Sequence, residues 1–140
     1  MYKEINLQGQ KDFQRGKDKE DRSLVYRNWL RTVETRGFWC DVDFIKWKYL
    51  TGVPVPAAIT DLTRVDTTNV GEAYRMAIYE RIFNRDQQGN ILETLGKLLK
   101  IPVYLVLFPK EMNWVWVLSF QKKKWKYFEI NDWVKYLQQL

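Results

Sequence analysis

The sequence predicts an α/β fold in which helices flank a mixed central β-sheet. Segments of helical period and short strands follow one another as helix, strand, strand, long helix, strand, strand, strand, helix. One strand, Val103–Phe108, is almost wholly apolar, which is typical of a strand buried on both faces. A sheet covered by helices on both sides satisfies both observations, so an α/β sandwich is the economical architecture.

The chain has 140 residues, of which 46% are hydrophobic and 16% aromatic, enough for one domain with a substantial core. Residues 1–20 differ from the rest because they are polar, carry charges of both signs and contain two glycines. We therefore expect residues 1–20 to form a mobile arm and residues 21–140 to form a single domain.

Composition excludes several kinds of chemistry. The chain has no histidine, which excludes Ser-His and Cys-His catalysis and imidazole metal sites. Its lone cysteine, Cys40, excludes an intramolecular disulfide or a zinc cluster and fits a reducing compartment. No apolar run approaches the roughly 20 residues that cross a bilayer, and the N-terminus does not resemble a signal peptide, so we expect no membrane association and a cytoplasmic location. The net charge of +6 favours a polyanionic partner such as nucleic acid.

The first helix is predicted to begin near Asp21 or Ser23, either of which can cap it, and to end at Gly37. Arg27 and Arg31 share one face, and Glu34 follows Arg31 closely enough to pair with it. These arginines form either a solvated face or a phosphate-contacting one. A stripe at i, i+3, i+4 and i+7 is predicted to face the core: Tyr26, Trp29, Leu30 and Val33.

Two β-rich runs follow, over residues 38–49 and 55–65, around a Thr51-Gly52 turn. Both runs carry aspartates where apolar residues are expected. Asp41 and Asp43 share one side of the first strand by alternation, and Asp61 interrupts an otherwise apolar part of the second.

If the two strands pair, Asp43 and Asp61 converge at one end of the hairpin. A carboxylate inside a core-facing strand is costly unless a cation compensates it, so this convergence predicts a divalent-metal site. Purely structural roles are the alternative: Asp61 can bond to the turn that follows it, and Asp41 and Asp43 can protect an exposed strand edge.

The remaining elements follow from the same periodicities. In chain order they are a helix over residues 70–82 capped by Thr68 or Asn69, a break at residues 84–86, a resumed helix over residues 91–100, strands at residues 103–108, 114–120 and 125–130, and a closing helix capped by Asn131 or Asp132.

A basic run, KKKWK, lies at the turn between the last two strands. Lys122, Lys123 and Lys124 are either a solvated hairpin turn or, with Trp125 beside them, a patch that contacts nucleic-acid phosphates.

Three segments together resemble the PD-(D/E)xK nuclease superfamily, which has the restriction-endonuclease-like fold. They are CDVDFIKW, VPVPAAITDLTRV and RDQQGNILETLGKLLKIPVYLVLF. The first two look like the "DxDxI…PVAxIExK" hairpin of small members of that superfamily. The third looks like their second helix and the central strand after it. The resemblance covers roughly residues 23–120.

The resemblance implies a metal-dependent DNA endonuclease acting on double-stranded DNA. Mg²⁺ or Mn²⁺ would be held by Asp61, where Glu is commoner, together with Asp43, or with Asp41 if the register differs. Gln87 or Gln88 would correspond to a supporting glutamine on the helix. Some members carry a further acid at the place of Glu34. A homodimer is expected because cutting both strands generally needs two active sites.

One departure from the family pattern concerns the motif lysine. Its position, two residues beyond Asp61, is occupied by Thr63, and alternation turns the neighbouring Arg64 to the opposite face unless a bulge redirects it. By strand alternation, Lys46 and Lys48 lie on the opposite side of the first strand from Asp43, so neither is placed to replace the missing lysine. Three alternatives stay open: the metal alone activates water, Arg64 reaches in through a bulge, or cleavage has been lost.

The missing lysine makes a second function possible beside the endonuclease: the chain could be a catalytically degenerate protein that binds DNA or serves as a subunit of a larger complex. The third is a protein-interaction domain that uses its aromatic surface.

Overall fold

The computed structural model describes residues 17–33, 42–66 and 69–140, which fall into two units: helix α1 and residues 42–140. The predictions for residues 1–16, and for Glu34, Gly37, Asp41 and Thr68, lie outside the described residues. The elements are helix α1 Lys17–Val33, strands β1 Phe44–Leu50 and β2 Val53–Arg64, helix α2 Glu72–Glu80, a π-helical turn Arg81–Arg85, helix α3 Gln88–Leu99, strands β3 Val103–Phe108, β4 Trp114–Ser119 and β5 Lys124–Glu129, and helix α4 Ile130–Gln139.

Helix α1 departs from the prediction in two ways. It begins at Lys17, so the last four residues of the predicted mobile arm are helical. Tyr26, Trp29 and Val33 are each more than half exposed, so the predicted packed stripe is wrong for these side chains. The i, i+3, i+4 spacing gives a helix an apolar face, but it does not determine whether anything covers that face.

The five strands form one mixed sheet in the order β1-β2-β3-β4-β5. Strands β1 and β2 are an antiparallel hairpin in which Leu50 pairs with Val53. Thr51 and Gly52, the two turn residues, both have positive φ, at 49° and 80°, which suits a two-residue hairpin turn. Strand β3 runs parallel to β2, and β4 and β5 continue the sheet antiparallel. The predicted α/β class with a mixed sheet is confirmed.

Helices cover both faces of the sheet. We call the face covered by α2, the π-helical turn and α3 the front face, and the face covered by α4 the back face. The front core includes Ile59, Ile78, Ile82, Leu92, Leu105, Leu107 and Leu118. The back core includes Tyr104, Val106, Val115, Val117, Phe128 and Trp133. Because β3 contributes alternate residues to the two cores, both of its sides are buried, as its apolar sequence predicts.

The crossover from β2 to β3 is two helices joined by an irregular turn. The predicted break near residues 84–86 corresponds to the π-helical turn, which closes with a 2.8 Å hydrogen bond from the N–H of Asp86 to the carbonyl of Arg81. Gly89 allows the start of α3 to pack closely against this turn, because a Cβ there would lie 2.8 Å from the ring of Phe83. The sequence therefore needs a glycine at this contact.

Three predicted helix caps are wrong. Asp21 and Ser23, proposed as caps of α1, both lie inside that helix. The residue before α2 is Gly71 rather than Asn69, and the residue before α4 is Glu129, in extended conformation, rather than Asn131 or Asp132. Neither position makes a side-chain cap hydrogen bond. Helix α4 starts directly at the end of β5, so Asp132 lies in its first turn, where its charge favours the helix N-terminus.

None of the helices in the described part of the chain combines the length and the apolar character needed to cross a membrane.

Candidate active site

The hairpin register brings two of the predicted aspartates together. Phe44 pairs with Thr60, so Asp43, immediately before β1, lies opposite Asp61 in β2. The N–H of Leu62 donates a 2.8 Å hydrogen bond to the Asp43 carboxylate, which fixes that side chain against β2. Asp61 pairs with Leu105 of β3 in parallel register and so faces the front core. Asp41, the other candidate for the first acid, lies outside the described residues.

Asp61 is the one buried charged residue in the described part of the chain, with 6% of its surface exposed. Burial raises the pKa of Asp61 from 3.8 to about 7, and the hydrogen bond and negative charge of Asp43 add to this rise. The backbone N–H of Leu62 and the positive charge of Arg81 oppose the rise in pKa. Asp61 therefore takes up a proton near neutral pH, well above the range in which an ordinary aspartate does.

Gln88 supports the pair from the first turn of α3. Its side-chain Nε2 donates a 2.9 Å hydrogen bond to Oδ2 of Asp61. Gln87, the other sequence candidate, is exposed, adopts a left-handed backbone with φ of 63°, and accepts a 3.0 Å hydrogen bond from Asn90 instead. The sequence left open whether Gln87 or Gln88 supports Asp61. The structure selects Gln88, because the π-helical turn directs its side chain toward β2.

Arg81 is the cation beside Asp61, and the sequence did not identify it. It begins the π-helical turn, is 38% exposed, and its Nε lies 3.9 Å from the carboxylate of Asp86. The one available signal is its spacing: Arg81 follows the buried Ile78 by three residues and precedes the buried Ile82, which puts it at the margin of the core-facing side.

A second arginine, Arg75 of α2, lies over the front face of the sheet. Its guanidinium stacks 3.7 Å from the ring centroid of Trp116, and its Nη1 donates a 2.8 Å hydrogen bond to the carbonyl of Val70. Its Nε is buried and has no hydrogen-bond partner within the described residues. The front face thus presents two cations that no motif predicts.

Thr63 and Arg64 lie on opposite faces of β2. Thr63 pairs with Leu107 and shares the front face with Asp61. Arg64 forms an ion pair with Asp66, with Nη2 3.1 Å from Oδ1. Pairing of β2 with β3 runs without interruption from Ile59 to Arg64, so no bulge redirects its side chain. The bulge that the hairpin does contain lies earlier in β2, at Ala57, because Lys46 pairs with Ala58 and Trp47 with Pro56.

Lys46 does not reach the aspartates either, because its Nζ donates a 2.6 Å hydrogen bond to the carbonyl of Leu137 in α4, on the back face. Strand alternation predicts this orientation from the sequence. Lys48 lies exposed in the part of β1 beyond the bulge.

The donor set can be compared with what a divalent cation needs. No group of three or more His, Cys, Asp or Glu side chains in the described ranges is arranged to hold a metal. Mg²⁺, however, commonly takes one or two carboxylates and completes its octahedron with water and substrate phosphate. Asp43 and Asp61 meet that requirement, and the raised pKa of Asp61 shows that its charge is costly where it stands, a cost that a bound cation would reduce.

The basic residues predicted to bind nucleic acid fall in different places. Arg27 and Arg31 lie on α1, in the separate unit. Lys123 has a positive φ of 55° and reaches the front side, where it pairs with Glu93 and lies 4.0 Å from the ring of Phe83. Lys122 and Lys124 line a back-face pocket instead.

No protein-family model, no curated protein and no solved structure matches this chain.

Proposed function

We propose that this protein is a metal-dependent DNA endonuclease of the PD-(D/E)xK type. The observation that carries the proposal is the pairing of Asp43 with the buried Asp61 on adjacent strands. Burying a carboxylate beside a second one is unfavourable unless a cation or a proton compensates them, and the positive charge of Arg81 offsets only part of this cost, since the pKa of Asp61 is still raised to about 7. Such a pair is retained more readily for binding a cation than for stability.

The topology is in keeping with a restriction-endonuclease-like fold. Both aspartates belong to one antiparallel hairpin, a helical crossover follows, and the buried strand β3 returns parallel to β2. This is the order of elements in the family that the sequence resembles: a strand with the first acid, a strand with the second, a helix and a buried strand.

In the proposed site Asp43 and Asp61 would hold Mg²⁺ or Mn²⁺, Gln88 keeps Asp61 oriented through its 2.9 Å hydrogen bond, and Arg81 adds positive charge beside Asp61. An ion bound there would lower the pKa of a water molecule and neutralise charge on the phosphate. Arg81 attracts the phosphate but does not accept a proton, because a guanidinium remains protonated. The hydroxyl of Thr63 is not basic enough to accept a proton either.

The second candidate function is DNA binding without cleavage, alone or as a subunit of a larger complex. Thr63 favours it, since the front face has no amine at the position where the resembling family carries its lysine. A protein of this kind would bind DNA with an affinity whose logarithm falls linearly with the logarithm of salt concentration, and would not turn over.

The partner that suits this site is double-stranded DNA, in line with the net charge of +6. A cytoplasmic location and a homodimer, which would supply two sites for two strands, complete the proposal.

The decisive experiment is cleavage of supercoiled plasmid and of linear duplex DNA with Mg²⁺, with Mn²⁺ and with EDTA. Asp61→Asn and Asp43→Asn test the site, and Asp66→Asn is the matched control because its carboxylate is 81% exposed and pairs with Arg64 instead. We expect metal-dependent nicking in the unmodified protein and in Asp66→Asn, and a loss of at least about 100-fold in both site variants.

Salt-sensitive binding with no cleavage by any of these proteins would favour the second function. Cleavage that persists at full rate in Asp61→Asn would contradict the site assignment, and absence of both binding and cleavage at low salt would contradict both functions.

A further inference from the structure

A pocket of about 440 Å³ opens on the back face, between the sheet and helix α4. Its floor is a cluster of aromatic side chains from three different elements: Tyr104 of β3, Phe128 of β5, and Trp133 and Tyr136 of α4. Its volume lies within the range of about 300–1,000 Å³ that is usual for small-molecule sites.

The aromatic floor is rigid because its rings pack against one another. Trp133 and Tyr136 are stacked with centroids 5.6 Å apart, and Tyr104 meets Trp133 edge-on at 6.3 Å. The hydroxyls of Tyr104 and Tyr136 are 2.8 Å apart and hydrogen-bonded to each other. Burial raises the pKa of Tyr104, so this hydroxyl stays protonated and remains a donor or acceptor at any physiological pH.

The rim of the pocket is basic. Lys122, Lys124 and Lys126 line it, together with Ser119 and Gln121, and no acidic residue does. The Nζ of Lys126 lies 4.9 Å from the centroid of the Phe128 ring, which places its charge directly above the floor. In the described turn, Lys123 alone faces away and pairs with Glu93. Alternation around the β4–β5 turn thus gathers three of the four lysines on one side.

This pocket is distinct from the candidate active site. Tyr104 and Phe128 belong to the back core, whereas Asp61 faces the front core on the other side of the same sheet. A ligand held in the pocket cannot contact Asp43 or Asp61, so its binding does not depend on the proposed nuclease activity.

We propose that the back-face pocket binds a nucleotide, with its base against the aromatic floor and its phosphate at the lysine rim. Of the four rings, Tyr104, Phe128 and Trp133 are buried and Tyr136 is partly exposed, so a planar ligand can stack on Tyr136. Stacking on an aromatic side chain stabilises any nucleobase and is tolerant of its identity. Three lysines with no acidic residue beside them in the described lining favour an anion. The hydroxyls of Ser119 and the tyrosine pair offer hydrogen bonds to the edge of a base.

The same chemistry is present in a free mononucleotide and in one unit of a single-stranded nucleic acid. The two sources are distinguished by measuring binding of dAMP and dTMP by calorimetry and binding of a fluorescently labelled twelve-nucleotide single strand by anisotropy. A pocket for a free nucleotide binds the mononucleotides and gains little from the longer chain. A pocket that serves a single strand binds the oligonucleotide at least about tenfold more tightly, because further phosphates contact the basic rim.

The test variant is Lys124→Gln/Lys126→Gln, and the control is Lys110→Gln/Lys135→Gln, which removes equal charge from exposed positions outside the pocket. We expect the pocket variant to weaken binding about tenfold or more and the control to weaken it less than about threefold. Tyr136→Ala should weaken binding as well, since it removes one stacking ring, whereas Asp61→Asn should leave binding unchanged.

Equal weakening in the two lysine variants would overturn the proposal, because the binding would then depend on net charge alone. Failure of both mononucleotides and the single strand to bind would overturn it too. Loss of plasmid cleavage in Asp61→Asn with nucleotide binding intact would show that the two sites are independent.

Discussion

Gln88 and Asp61 are 27 positions apart in the chain and are joined by a 2.9 Å hydrogen bond between the first turn of α3 and the middle of the sheet. This bond connects the helical crossover to the one buried carboxylate in the described residues. Because the amide of Gln88 donates, it stabilises the ionised form of Asp61, the form needed to bind a cation.

Removing this donor should therefore destabilise the protein most where Asp61 is ionised. We expect Gln88→Met to lower the free energy of unfolding by about 1–2 kcal/mol at pH 8 and by less at pH 5. Gln87→Ala is the control, because the side chain of Gln87 is exposed and bonds only to Asn90 among the described residues, and should change stability by less than about 0.5 kcal/mol. Chemical denaturation at both pH values measures the difference. A loss for Gln88→Met that is equal at pH 5 and pH 8 would indicate a packing effect instead.

The raised pKa of Asp61 predicts how stability depends on pH in the absence of divalent ions. Between pH 3.8, the ordinary value, and about 7, its folded value, the folded state holds a proton that the unfolded state has lost. Stability is therefore greatest at low pH with respect to this group and falls as pH rises toward 7. One pKa unit corresponds to about 1.4 kcal/mol, so the total loss is at most on the order of 4 kcal/mol.

Asp61→Asn isolates this contribution, because asparagine keeps the shape and removes the ionisation. Between pH 5 and pH 8 the variant should lose less stability than the unmodified protein, and it should be the more stable of the two at pH 8 without divalent ions. Mg²⁺ should stabilise the unmodified protein and Asp66→Asn but not Asp61→Asn. Denaturation curves that fall in parallel for all three proteins would contradict the raised pKa.

Arg81 and Arg64 form a matched pair for testing the cation beside the site. Arg81 acts on Asp61, whereas Arg64 pairs with Asp66 and belongs to the opposite face of β2. We expect Arg81→Gln to raise the pKa of Asp61 further and to slow plasmid cleavage at least about tenfold, since one charge on the phosphate would lose its partner. Arg64→Gln should cleave at a rate within about threefold of the unmodified protein. If Arg81→Gln and Arg64→Gln slowed cleavage equally, both arginines would act only through the overall attraction of positive charge for DNA, and the specific role of Arg81 at Asp61 would be contradicted.

Thr63→Lys restores an amine at the position where the resembling family has one. Because Thr63 shares the front face with Asp61, the new side chain would extend toward the aspartate pair. We expect metal-dependent cleavage to rise at least about tenfold if the missing lysine limits the unmodified protein. The gain should vanish in Thr63→Lys/Asp61→Asn. An unchanged rate in Thr63→Lys would indicate that water activation does not depend on an amine at this position.

Much of the fold follows from local pattern. Strand β3 has the predicted bounds, and the Thr51-Gly52 turn joins β1 and β2 as expected. The closing helix places Trp133 and Leu137 against the back core at the predicted spacing. Periodicity succeeded at these places because the side chains that create the pattern are the ones buried. It failed for α1, where Tyr26 and Trp29 have the same spacing and are exposed.

The candidate site likewise contains residues that local sequence pattern predicts and one that it does not. Asp61 stood out from sequence because a carboxylate within an apolar strand has a cost that any fold must compensate. Alternation also assigned Arg64 and Lys46 to the face away from Asp61, and both contact other partners there. Arg81 could not be found, since its position depends on the π-helical turn, a local irregularity with no signature in the periodicity.

The sequence by itself determined the α/β class, the hairpin and the candidate acid Asp61, because each depends on residues that are close along the chain or on the period of two within a strand. Tertiary structure decided which glutamine and which arginine stand beside Asp61, and which lysines gather around the aromatic pocket. These are distances between segments far apart in the chain, and they are set by how the crossover helices and α4 pack on the two faces of the sheet.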